Sequence, residues 1–156
     1  MQQSNTKIRS VTISNALLMP EIIKIVNEGY TVTLLLRGRS MRPFLEDGRD
    51  IAVLTAVKEI RKGDPVLAED RPGHYVLHRI VDISGSNITL RGDGNTCTEH
   101  CTTADIKASV KGFYRKGRKT LDRTDGLKWR VYSWIWMRLL PIRRYLLAIH
   151  RRLFIG

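Results

Sequence analysis

Leu17, Leu18, Ile22, Ile23, Ile25 and Val26 return at the spacing of one helix face, with Ser14 or Asn15 able to cap the start and Gly29 to end it. One amphipathic helix is therefore predicted over 14–26. From Thr31 the rhythm shortens: β-like runs occupy 31–37, 50–57, 65–68, 75–81, 87–91 and 106–114. Turn formers separate them, among them Gly48, Gly63-Asp64, Pro72-Gly73, Gly85 and Gly92-Asp93-Gly94-Asn95. Strands this close together, with no helix between them, have no room for parallel crossovers. The pattern predicts a mainly β (α+β) fold, a small antiparallel and partly closed β domain. Helical spacing returns over 127–154, interrupted at Pro141. There Ile135, Leu139, Ile142, Leu146, Ile149 and Leu153 gather on one side, and Arg130, Arg138, Arg144, Arg151 and Arg152 largely on the other. The chain thus divides into an N-terminal amphipathic helix (1–30), a β domain (31–115), and a basic linker with a C-terminal amphipathic helix (116–156).

Charge changes the reading of that last segment. The net charge is +12, yet residues 1–106 carry 13 Lys/Arg against 13 Asp/Glu, while residues 107–156 carry 14 against only Asp122 and Asp125. A neutral body with a basic tail points to an anionic partner. A basic amphipathic helix with Trp129, Tyr132, Trp134 and Trp136 fits an anionic membrane surface, bound through 127–156. Nucleic acid, met through 111–119 and the arginines, is the less favoured partner, and nothing in the sequence sets an oligomeric state. The polar residues 1–7 lead only to a short apolar patch broken by Pro20, Glu21 and Lys24, which is neither a signal peptide nor a span. The expected location is cytoplasmic, peripheral on the inner face of the membrane. Cys97 and Cys101 flank His100, but a structural zinc site wants four ligands and no second cluster exists, so neither metal nor cofactor is expected.

Candidate chemistry centres on RGRSMRPFLEDGRD, residues 37–50, where Ser40 stands in a turn directly after an apolar run. A serine hydroxyl becomes a nucleophile when a positioned base takes its proton and a third group orients that base. Downstream, His78 lies in an alternating strand and Asp93 in the turn that ends the next one. The short connection 84–87 joins those strands as a hairpin, which can bring His78 and Asp93 near each other. Singly, each residue is an ordinary turn former or strand residue. Together they outline a catalytic set. His74, His100 and His150 have no such context and read as surface residues.

The ordered boxes Gly38-x-Ser40-Met41-x-Pro43, Gly63-Asp64-Pro65-Val66-Leu67, His78-Arg79-Ile80-Val81 and Arg91-Gly92-Asp93-Gly94-Asn95 resemble those of the type I signal peptidases. The likeness is closest to the archaeal and endoplasmic-reticulum branch, in which histidine replaces the bacterial lysine base, and it runs from about Gly38 to Asn95. It implies Ser40 as nucleophile, His78 as general base and Asp93 as acidic partner, with Glu99 standing where the family often has a second acid. Gly38, Met41 and Pro43 belong to the turn that presents Ser40, and Gly38 occupies a position where some members carry a hydroxyl, which leaves backbone amides to stabilise an oxyanion. A transmembrane helix before the serine box, usual in that family, has no counterpart here.

The resemblance implies a serine endopeptidase of signal peptidase/LexA fold that cleaves a leader or precursor peptide bound as an added β-strand. The Asp93 charge suggests that His78 titrates near about 6.5 or above. Two other readings are a LexA-type self-cleaving regulator, which would need a lysine base and an N-terminal helix-turn-helix domain, and a catalytically silent module that binds peptides at the membrane.

Overall fold

The computed structural model describes residues 15–154, so the polar N-terminus and the expected cap at Ser14 lie outside the described residues. Eight strands form one open, antiparallel sheet: β1 (Val32–Leu35), β2 (Ile51–Thr55), β3 (Pro65–Arg71), β4 (His74–Ser84), β5 (Asn87–Arg91), β6 (Glu99–Thr102), β7 (Ile106–Tyr114) and β8 (Leu121–Arg123). Their order across the sheet is β1-β2-β7-β3-β4-β5-β6, with β8 paired to the end of β7. The mainly β architecture with flanking helices is the one expected, and the sheet does not close on itself. The predicted hairpin is β4–β5, tight at Ser84 opposite Asn87 and reaching Arg79 opposite Arg91. Two strands, β6 and β8, have no counterpart in the sequence reading. They are short, and their alternation is carried by His, Thr, Asp and Arg rather than by large apolar side chains.

Helix α1 (Asn15–Asn27) lays Met19, Ile22 and Val26 on the sheet, at the spacing of one helical face, and leaves Leu17 and Ile25 exposed. Beneath it Ala52, Leu54, Leu67, Ala108, Val110 and Phe113 form the main core, which also takes in Met41, Phe44 and Leu45. A second cluster gathers Val66, Ala68, Ile80, Ile88, Leu90 and Ile106.

The C-terminal segment is two helices, α2 (Leu127–Arg138) and α3 (Arg143–Phe154), separated around Pro141. Helix α2 turns Trp129, Ser133 and Trp136 into the body of the protein, and Trp129 joins the main core. Its outer face carries Leu127, Val131 and Trp134, all exposed. On α3 the exposed Tyr145, Ile149 and Leu153, with Ile142 just before the helix, share one side. No helix among the described residues is long and apolar enough to cross a membrane.

Candidate active site

The turn after β1 is tied at both ends before it presents Ser40. The Leu36 amide donates to Asp50 O (2.9 Å), the Gly48 amide to Leu36 O (2.8 Å), and the Gly38 amide to Asp47 Oδ1 (3.1 Å). Gly38 has φ of 94°, a left-handed conformation that a side chain would strain. Met41, Phe44 and Leu45 then plunge into the core and fix the turn from below. Asp50 is fully buried and accepts hydrogen bonds from Arg49 Nε (2.7 Å), Arg49 Nη2 (2.9 Å) and the amides of Glu46 and Lys116 (3.0 Å each). Burial pushes its carboxyl up, but these donors outweigh that effect and hold it below the usual carboxylate value.

Ser40 lines a cleft of about 110 Å³ whose walls are 36–38 on one side and 75–78 on the other, so that Ser40 and the buried His78 face the same space. His78 Nδ1 is 3.0 Å from Glu99 Oε2. That hydrogen bond sets Nδ1 as the protonated nitrogen when the ring is neutral, and leaves Nε2 as the acceptor. Burial lowers the His78 pKa from the ordinary 6.5, with the Glu99 charge and hydrogen bond pulling the other way. The direction is opposite to the sequence expectation because desolvation in this cleft exceeds the carboxylate's attraction. A ring that stays neutral at physiological pH is in the form a general base requires.

Register explains which carboxylate meets the histidine. Directly opposed residues share a sheet face, and neighbours along a strand alternate. Ile80 faces Leu90, and Leu90 faces Glu99, so His78, Ile80, Leu90 and Glu99 lie on one face. Arg79 faces Arg91, and alternation carries Asp93 to that other face. Accordingly Asp93 is fully buried against Arg79, with Arg79 Nε to Oδ1 at 2.8 Å and Nη2 to Oδ2 at 2.6 Å. The sequence offered Asp93 as the partner of His78 and Glu99 as the second acid; in the structure it is Glu99 that touches the imidazole.

Helix α2 closes this arginine–aspartate pair from behind. Arg79 Nη1 donates to Gly63 O (2.9 Å) and to Ser133 Oγ, and the guanidinium lies 4.5 Å from the Trp129 ring centre. Trp136 Nε1 donates to Asp93 O (3.2 Å), and Trp129 Nε1 to Gly63 O (3.3 Å). The Tyr132 hydroxyl, whose pKa burial and the Asp93 charge drive far up, stays protonated and reaches Asp93 Oδ2 at 3.4 Å.

Gly92 and Gly94 explain the glycines around Asp93. A Cβ on Gly92 would overlap the Ser40 carbonyl oxygen and sit 3.0 Å from His78 Nε2, and one on Gly94 would lie 2.8 Å from Arg39 O. The two turns can therefore touch only as bare backbone, and the Gly94 amide donates to Ser40 O at 2.7 Å. Asp50 and Ser133 escaped the sequence reading, as did the roles of Arg79, Tyr132 and Trp136 around Asp93, the two aromatics having been assigned to a membrane surface. The one available signal was an arginine beside His78 in an otherwise apolar strand, since a buried guanidinium demands a buried anion.

Pro43 follows Arg42 through a cis peptide bond. Cys97 is exposed and Cys101 half-buried, both as free thiols, and no three His, Cys, Asp or Glu side chains converge as a metal cluster among the described residues.

Over 93 residues the chain is 36% identical to "Signal peptidase I W" of Bacillus subtilis (strain 168), an alignment covering 54% of this chain and 48% of that protein. Over that span the chain is signal-peptidase-like. It covers about half the length of this curated relative. No family model matches the chain. No solved structure matches it.

Proposed function

We propose that this protein is a serine endopeptidase of signal-peptidase type, with Ser40 as nucleophile, His78 as general base and Glu99 as the carboxylate that orients the base. The observation that carries this reading is the shared cleft of Ser40 and a buried, neutral-leaning His78 hydrogen-bonded to Glu99. Ser40 Oγ would attack the scissile carbonyl while His78 Nε2 takes its proton, and the resulting imidazolium is stabilised by Glu99. The same imidazolium then protonates the leaving amine. Asp93 acts at one remove, holding Arg79 and the turn that touches Ser40.

The substrate in this reading is a leader or precursor peptide in extended form. Two backbone segments, 36–38 and 75–78, border the cleft, which suits a strand laid between them. Partial likeness to a signal peptidase supports the reaction class.

An anionic membrane surface is the partner proposed for the tail. Tyr145, Ile149 and Leu153 present an apolar side to solvent, and Arg144, Arg151 and Arg152 lie on the same helix with no acidic residue after Asp125.

Labelling with a fluorophosphonate, followed by peptide mapping, tests the assignment. Ser40 should carry the adduct, Ser40→Ala should abolish it, and His78→Ala should slow it at least as strongly as it slows peptide cleavage. Labelling that survives Ser40→Ala would remove Ser40 from the mechanism.

A further inference from the structure

A second cavity, of about 390 Å³, opens between the segment that follows Ser40 and helix α2. That is the volume of a small-molecule site, several times that of the Ser40 cleft. Its walls are Pro43, Phe44, Trp129 and Tyr132. The Phe44 and Tyr132 rings stack with centres 4.6 Å apart, and Trp129 meets Phe44 edge-on at 4.6 Å, so the surface is a fixed aromatic floor rather than a loose dent.

The remaining lining is charged. Arg115, Arg123 and Lys128 face a single lining carboxylate, Asp122. Asp122 is already shared, with Lys128 Nζ at 2.7 Å and Arg115 Nη1 at 3.3 Å, and these cations hold its carboxyl below the usual value. Among the described residues, Arg123 pairs with the exposed Asp125, outside the lining. Arg115 is pre-set for a ligand: its Nε donates to Phe44 O (3.0 Å) and its guanidinium lies 3.6 Å over the Phe44 ring. Neutral polar groups are scarce, because the Tyr132 hydroxyl is directed to Asp93. The lining therefore offers no free neutral hydrogen-bonding side chain. An apolar body with one anionic end satisfies both the floor and a rim in which three cations meet two carboxylates.

We propose that this cavity binds a single-chain anionic amphiphile, with its hydrocarbon on the Phe44–Tyr132–Trp129 floor and its carboxylate or phosphate head at Arg115, Arg123 and Lys128. Nothing in this depends on the chemistry assigned to Ser40, and the site lies behind the serine turn rather than in its cleft.

Calorimetric titration of the full chain with decanoate below its micelle concentration, at low salt, tests this. One equivalent should bind, while decanol and acetate, tail and head alone, should bind at least about tenfold more weakly, the scale of one charge contact near a surface. Lys128→Glu and Arg123→Glu should each weaken decanoate by a similar factor with circular dichroism unchanged, whereas Trp134→Phe on the outer face of α2 should leave it as it is. If Lys128→Glu disturbs folding, Arg123→Glu, at a more than half-exposed side chain, decides the matter. Absent saturable binding, decanol as tight as decanoate, indifference to Arg123→Glu, or sensitivity to Trp134→Phe would each overturn the proposal.

Discussion

The Gly94 amide donates to the Ser40 carbonyl at 2.7 Å, and through that bond two turns more than fifty residues apart become one piece of backbone. Ser40 gets its position from this contact as much as from its own loop. The glycines on either side of Asp93 exist for the approach.

Gly92→Ala tests the contact directly. Its new methyl would collide with Ser40 O and crowd His78 Nε2, so one turn must retreat. Displacing reacting groups by about 1 Å costs on the order of 10²-fold in rate. Peptide cleavage should fall by about that factor while the thermal midpoint moves little. Full activity in the variant would mean that the two turns are not rigidly joined.

Glu99→Gln should lower kcat by as much as about 10⁴-fold, as loss of the orienting carboxylate does in serine triads, with folding stability nearly unchanged because Glu99 is partly exposed. Asp93→Asn should show the reverse emphasis. It strands the buried Arg79 charge and should cost about 3–5 kcal/mol in denaturant unfolding. Equal effects of both substitutions on kcat at equal stability would reject the division of labour.

The pH dependence follows from His78. Its folded-state pKa lies below 6.5, so the ring is more than half neutral at 6.5 and, with His78 as the proposed base, activity should rise with a midpoint on the acid side of that value. Stability has the same sign: the unfolded chain binds a proton near 6.5 that the folded chain refuses, so the contribution is complete above 6.5 and is lost as pH falls through the window beneath it. Glu99→Gln removes the group that raises the pKa and should depress it further. NMR titration of the His78 ring reads all of this, and a midpoint above 6.5 would contradict it.

Trp129→Ala should cost about 3–5 kcal/mol, as for large core aromatics, because the ring is buried against Phe44 and Phe113. Trp134→Ala, on the outer face of the same helix, should stay within about 0.5 kcal/mol. Chemical denaturation of both separates a helix that belongs to the core from one merely tethered to it.

What the sequence made legible is where period and chemistry coincide. Alternating runs gave six of the strands, and the serine and histidine stood in recognisable settings. The pairing of carboxylates did not come through, because it depends on which face each residue takes, and a hairpin plus a third strand must be in register before Glu99 can be told from Asp93. The inward face of helix α2 stayed hidden for a related reason. Its tryptophans read as an interfacial belt, since aromatics spaced around a basic helix serve a lipid headgroup and a buried arginine equally well in one dimension. Only Trp134 stays exposed, while Trp129 and Trp136 turn inward.

Helix α2 also gives the direction of protein synthesis a consequence. Ser40 and His78 leave the ribosome early, but the bond that holds the Asp93 carbonyl waits for Trp136, and the Arg79 cage waits for Trp129 and Ser133. A nascent chain halted before residue 129 holds every residue of the serine–histidine–glutamate set and lacks the wall behind it. The Arg79–Asp93 pair behind the serine turn is thus completed only once residue 136 has been translated.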